Sequence, residues 1–277
     1  MNALASVDLT TVARAETIPL GMAQLAFHGL SEDWWLRHLG DVHWQLIADA
    51  LGQRTTVFWD KKGRQMYAAF CATEFEQLNP DLATLGQNVE VKSQLWSAGK
   101  SKIQSNHFLY VDGTEIARFT LLSTFVVHKE IGVNASVSRV TPYLISVLQY
   151  APDGFAQETA TLAKELRDME RTCEDAITMF PCVGSDFNAV GLLYFPSFTR
   201  LFEHVEARSA PTKTWSAMRR RRVLYLSNIE RGEHVSGAMS GHDRQSMTLW
   251  RSAAGSHGAK KLAHCYVERY SAGQISE

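Results

Sequence analysis

The feature that most constrains this chain is a repeated plan: a helix-forming stretch rich in aromatic residues, then only strand-like segments, twice over. The first helical stretch lies within residues 21–52. Leu30-Ser31-Glu32-Asp33 reads as a helix start, with Ser31 as the cap and two acids in the first turn. Trp34, Trp35, Leu36 and Leu39 follow as its apolar positions. Gly40-Asp41 predicts a break, Asp41 capping a second helix that carries Trp44, Ile47, Ala48 and Leu51 and stops at Gly52. The later stretch begins at Asp186-Phe187-Asn188, and its apolar stripe is Phe195, Phe198, Leu201, Phe202 and Val205. Central helices are therefore expected near residues 31–51 and 191–206.

After each helix the hydrophobic period falls to that of strands. Residues 55–59 and 66–75 are joined by the turn Asp60-Lys61-Lys62-Gly63; residues 89–97 alternate apolar and polar; residues 106–111 and 115–127 flank Asp112-Gly113. In the second half, residues 222–228, 233–240, 244–251 and 261–270 read as strands, with turns at Gly232, 241–243 and 255–258. A helix followed only by antiparallel strands is buried by wrapping the sheet around it, so the expected class is α+β with two tandem units. The expected divisions are an N-terminal mobile arm over 1–20, a first unit over 21–140, a connector over 141–183 and a second unit over 184–277. Within the connector, 140–150 fits strand or helix, and 158–174 is a surface helix of good helix formers.

The 277 residues are 45% hydrophobic and 21% charged, values of a globular chain, and the net charge of -1 gives no general attraction to nucleic acid or anionic membrane. No apolar run approaches the roughly 18 residues of a spanning helix, and the first residues lack a secretory layout, so a cytoplasmic protein is expected. Cys71, Cys173, Cys182 and Cys265 form no C-x-x-C pair and have no His at zinc spacing. They read as buried reduced thiols, with no metal site. There is no G-x-S-x-G elbow, no P-loop and no H-E-x-x-H, which argues against a serine hydrolase, an NTPase and a zincin.

Four segments carry a family resemblance: Gly21-Met22-Ala23-Gln24-Leu25, Gly40-Asp41-Val42-His43-Trp44, Tyr67-Ala68-Ala69-Phe70-Cys71 and Asp186-Phe187-Asn188. In these, and in its layout, the chain resembles the double hot-dog acyltransferase/decarboxylases of bacterial polyketide clusters, of which the leinamycin enzyme is the type. The resemblance implies a double hot-dog fold, with an acyl-thioester tunnel between paired units. It also implies methylmalonyl-CoA as acyl donor, transfer through a tyrosine ester, decarboxylation, and delivery to an acyl carrier protein. It implies no metal and no permanently bound cofactor, the coenzyme A or phosphopantetheine thioester being the substrate. By position in the plan the reactive tyrosine is Tyr67, with Tyr110 as its nearest rival. In hot-dog thioesterases and dehydratases an Asp, Glu or Asn stands near the start of the central helix, where Asp186 and Asn188 fall; the alternative for both is helix capping.

His43 joins the candidate catalytic residues because its segment carries the resemblance; His28 and His107 are further base candidates. Arg219-Arg220-Arg221-Arg222 is the one charge cluster in the sequence. It reads either as a solvated strand end or as a contact for the phosphates of coenzyme A or for an acidic carrier protein. Three functions stay open: an acyltransferase, with or without decarboxylation, a hot-dog thioesterase or dehydratase, and a non-catalytic acyl-binding scaffold. Acyl carrier protein or acyl-CoA is the expected partner, with a homodimer possible.

Overall fold

The computed structural model describes residues 11–130, 132–142, 148–168, 175–209, 216–240, 245–252 and 260–271. In the first half, β1 (Val12–Pro19) leads through a short hairpin, β2 (Leu25–Ala26) and β3 (Gly29–Leu30), into α1 (Glu32–Ala50). Then come β4 (Phe58–Trp59), β5 (Gln65–Gln77), β6 (Asn88–Ser97), β7 (Lys102–Val111), β8 (Thr114–His128) and β9 (Val137–Arg139). The second half has α2 (Phe155–Asp168), β10 (Ile177–Met179), the single turn α3 (Val183–Asp186), α4 (Ser197–Ser209), β11 (Met218–Tyr225), β12 (His234–Met239), β13 (Ser246–Ser252) and β14 (Lys261–Arg269).

One continuous sheet runs β1-β6-β7-β8-β5-β11-β14-β13-β12-β10, with β4 added to β5 and β9 to β8. Counted along this path, each half has the same strand order: first, third, fourth, fifth, second. In each, the long helix falls between the first and second strands. The two second strands, β5 and β11, meet antiparallel at the middle of the sheet, which relates the halves by an approximate two-fold axis.

Ser31 caps α1 as expected, its Oγ accepting from Trp34 N at 3.5 Å. The expected break at Gly40-Asp41 is absent, and α1 is one helix. A helical glycine costs about 1 kcal/mol, a small sum beside the burial of Leu36, Leu39, Leu46 and Ile47. Gly40 has a packing reason, since a Cβ there would lie 2.9 Å from Cζ of Phe195 in the other half. Residues 12–19 are no mobile arm. They form β1, paired with β6 from Val12↔Leu95 to Pro19↔Asn88, because the open edge of β6 supplies the main-chain partners their weak alternation could not advertise. The second helix begins at Ser197 rather than 191, just after Pro196; residues 187–196 form a loop instead. Asp112-Gly113 turns as predicted, with φ of 48° and 79°, the positive values a type I′ hairpin requires.

The core is divided between the helices. α1 buries Trp35, Leu36 and Leu39 against β6–β8 and Leu46 and Ile47 against Met66, Leu95 and Phe125, whereas α4 buries Phe198, Leu201, Phe202 and Val205 against β11–β14. α2 packs through Phe155 and Ala156 onto the opposite face of the sheet, at Ala72 and Leu122. Of the cysteines, Cys265 is buried as expected, Cys71 is partly buried, Cys182 is exposed, and Cys173 lies outside the described residues. The turns expected at 241–243 and 255–258 also lie outside them.

Candidate functional site

Strand β5 is only partly flanked. On one side β8 runs along nearly its whole length. On the other, β4 covers it at Gln65 and Met66, and β11 from Ala72 to Glu76. Between these, residues 67–71 border a cavity of about 900 Å³. Its remaining walls are α1 through Arg37, Gly40, Asp41 and Trp44, strands β8 and β9 through Val126 and Arg139, and the loops around 187–195 and 225–230. The cavity is thus built where the halves stop pairing.

Three asparagines hold its loops. Asn188 Oδ1 accepts from the main-chain N–H of Val190 at 3.2 Å and of Leu192 at 3.0 Å. Asn228 Oδ1 accepts from Leu193 N at 2.8 Å, and its Nδ2 donates to Leu193 O at 3.2 Å. Asn134 Nδ2 donates to Gly191 O at 2.8 Å and to Ile229 O at 2.7 Å.

Tyr67 lies on the cavity wall. Its strand neighbours Met66 and Ala68 pack toward α1 with Phe125, so Tyr67, paired with Val126, leaves the other face of the sheet. Val126 in turn pairs with Arg139, which sets Tyr67 and Arg139 on one rung, a strand apart. The Tyr67 ring meets His128 edge-on, with centroids 5.7 Å apart. Tyr110 is not on the wall; Lys92 lies over its ring at 4.9 Å.

The remaining sequence candidates are placed differently. Asn188 lines the cavity, but its side-chain carbonyl is committed to its own turn, and no long helix starts there. Asp186 is buried off the wall, where Oδ2 accepts from Cys182 N at 2.6 Å and pairs with Arg200 at 2.6 Å. His43 is fully buried on α1, with Nδ1 2.7 Å from Ser105 Oγ and Nε2 2.8 Å from Ser123 Oγ. Burial pushes its pKa down to about 3, and it does not reach the cavity. His107 extends the same chain, joined to Ser105 at 2.8 Å and Ser93 at 2.7 Å, and burial lowers its pKa as well. These histidines are core groups held neutral. His28 is exposed beside Phe27 and away from the wall.

The arginine run is not a free patch. Arg221 is buried under both central helices, 2.6 Å from Glu32, 3.3 Å from Glu203 and 3.8 Å from Glu206, and these carboxylates hold it cationic despite desolvation. Arg220 and Arg222, on the other face, share Glu74 at 2.9 and 2.5 Å, and Arg222 also meets Glu158 at 2.9 Å. Arg219 is the most exposed and lies 3.7 Å from Glu268. None of the four lines the cavity.

The sequence reading missed Asp41 and Tyr194. Asp41, taken there for a helix cap, sits mid-helix with its side chain open to the cavity. Desolvation along the α1 wall raises its pKa, His38 opposing. Tyr194 comes from the other half; burial and then the Asp41 carboxylate push its pKa up to about 12, with Arg37, whose guanidinium lies 5.2 Å from the ring centroid, opposing. The missed signal was Gly40 itself, a glycine inside an apolar helical pattern that marks a close approach. A carboxylate raised toward neutrality and a protonated phenol can serve as general base and hydrogen-bond donor. No group of His, Cys, Asp and Glu suited to a metal occurs among the described residues.

No protein-family model matches the sequence, and no curated protein matches it. Solved structures do match. The 12:0-ACP thioesterase from Umbellularia californica superposes with a TM-score of 0.63 over 93% of this chain and 96% of its own, at 12% identity. An acyl-ACP thioesterase from Bacteroides thetaiotaomicron gives 0.61 over 92% and 96%, at 10% identity. An oleoyl thioesterase of Lactobacillus plantarum, so named provisionally, gives 0.59 over 94% and 96%, at 10% identity. The fold is a double hot-dog. At these identities the likeness concerns the path of the chain, and the chemistry has to be argued from the cavity. Among the described residues no helix of this double hot-dog is long and apolar enough to cross a membrane.

Proposed function

We propose that this double hot-dog chain is an enzyme that cleaves acyl thioesters of coenzyme A or an acyl carrier protein, and that hydrolysis is its reaction. The observation that carries the proposal is the cavity between the halves, with Asp41 on one wall and Tyr194 from the other half beside it. The thioesterase names of its structural neighbours support the same substrate class. In the proposed step the Asp41 carboxylate takes a proton from water while the water oxygen bonds to the thioester carbonyl carbon. The C–S bond then breaks, and the proton passes to the leaving sulfur, giving acid and thiol. Tyr194, protonated at neutral pH, is the proposed donor to the carbonyl oxygen.

A second reading is acyl transfer through Tyr67, as the resemblance to the polyketide-cluster acyltransferase/decarboxylases implies. It is favoured by one observation: Tyr67, whose hydroxyl can accept an acyl group, borders the cavity on the same rung as Arg139. Here the phenol oxygen bonds to the acyl carbon, the thiol departs with the phenol proton, and a second thiol accepts the acyl group. Incubation with malonyl, methylmalonyl and longer acyl thioesters, followed by thiol release and intact mass, separates the two. Hydrolysis gives free thiol with no adduct. Transfer gives an acyl adduct on the chain that Tyr67→Phe abolishes without loss of fold. Neither thiol nor adduct from any thioester would overturn both and leave a non-catalytic acyl-binding scaffold.

A further inference from the structure

We propose that the unpaired edge of β5 over residues 67–71 is the groove for the pantetheine arm of the substrate, whose two amides complete the missing strand. The choice of ligand rests on the thioester function proposed above; the groove itself rests on strand pairing alone.

The main-chain directions along β5 follow from its neighbours. Asp60 N donates to Arg64 O at 2.9 Å, and Phe58 opposes Met66 two residues on, so the main-chain groups of Arg64 and Met66 face β4. Alternation then turns those of Tyr67 and Ala69 toward β8 and those of Ala68 and Phe70 toward the cavity. Among the described residues no strand pairs with Ala68 or Phe70 on that side, and no side chain bonds their main-chain groups. The gap has two causes. β4 ends at Phe58, and β11 leaves β5 after Leu224↔Ala72, Tyr225 continuing only with β14 at Ala263. A bulge between Phe70 and Ala72 marks the point of departure.

Main-chain N–H and C=O groups lining a cavity demand partners, from water or from a ligand. The outward pairs of Ala68 and Phe70 are about 6.7 Å apart, two strand residues. Pantetheine is an extended chain with two secondary amides, each offering one N–H and one C=O, and it can add to this edge as a peptide adds to a sheet. Arg139 and Lys260 line the same cavity and have no ion-pair partner among the described residues. They are suited to the phosphate end of the arm.

Hydrogen exchange of the full chain, followed amide by amide by NMR with and without S-methylpantetheine, tests this without turnover. The amides of Ala68 and Phe70 should slow at least about tenfold on binding, whereas those of Tyr67 and Ala69, already bonded to β8, should not change. Coenzyme A should give the same protection and bind more tightly, the difference vanishing in Arg139→Ala/Lys260→Ala. Failure of both probes to bind, or binding that leaves Ala68 and Phe70 unprotected, would overturn the groove. Thioester turnover without this protection sinks the groove and spares the proposed function. Protection without turnover of any thioester does the reverse.

Discussion

Two stretches of one strand, β5, differ in a way that explains the molecule. Residues 72–76 are flanked on both sides, by β8 and by β11, and the junction is laced with charge. Glu74 takes Arg220 and Arg222 on one face while Arg221 is sunk beneath the helices on the other. Residues 67–71, directly preceding, are flanked by β8 alone among the described strands and border the cavity. The chain uses its one arginine run to join its halves and opens its cavity where that joining stops. A charge cluster in a sequence therefore marks an interface as readily as a ligand site.

The largest effect should come from the open stretch. Asp41→Asn should lower kcat/KM by about 10²–10⁴-fold in thiol-release assays while leaving the melting temperature unchanged. Wild-type activity should fall on the acid side with an apparent pKa above the ordinary Asp value of about 3.9, since the folded carboxyl is raised. Wild-type rates in Asp41→Asn would remove this carboxylate from the mechanism.

Next in size is the joined stretch. Arg221→Ala leaves Glu32 buried without its 2.6 Å partner and should cost about 3–5 kcal/mol in denaturant unfolding. Loss below about 1 kcal/mol would mean that the halves are held by strand pairing and apolar packing alone.

A smaller, pH-dependent effect comes from α1, the helix packed against β5. His43 has a folded pKa of about 3 against about 6.5 unfolded, so between these values the unfolded chain binds a proton the folded chain does not. The stability it contributes is complete above about pH 6.5 and is lost as pH falls, by up to about 1.4 kcal/mol per pH unit. Urea midpoints measured at pH 7.5, 6.5 and 5.5 should drop across the last interval, with His107 and His264, the latter lowered to about 4, acting in the same direction. A flat profile would show that His43 is already charged in the fold.

The smallest effect sharpens the contrast most. Arg220→Ala removes a partly exposed pair with Glu74 and should cost under about 1 kcal/mol. In the Arg220→Ala/Arg222→Ala variant, KM for coenzyme A thioesters should not move, because neither guanidinium lines the cavity. A severalfold rise in KM at low salt would restore the cluster as a substrate contact.

Much of the fold was legible. Ser31 and the two acids after it announced α1, and the Asp112-Gly113 turn fixed the β7–β8 hairpin. The repeat itself was readable from the change of period after each helix. Less of the site was. Tyr67 was singled out and does line the cavity, yet Asp186 and His43, candidates through the family resemblance, are committed to internal hydrogen bonds. Asp41 looked like a cap and instead faces the cavity, because the helix continues through Gly40 to accept Phe195.

The sequence by itself determined the helices, most of the strands, and the duplication of an α+β unit, because periodicity, capping and turn chemistry act between residues near in the chain. Tertiary structure alone decided which polar groups are free. Arg221 and Glu32 are 189 residues apart, and β5 lacks a second neighbour over 67–71 because β4 stops at Phe58 and β11, from the other half, turns away after Leu224. Neighbours brought together across that distance leave no local pattern, and they fix both the cavity and the groups that face it.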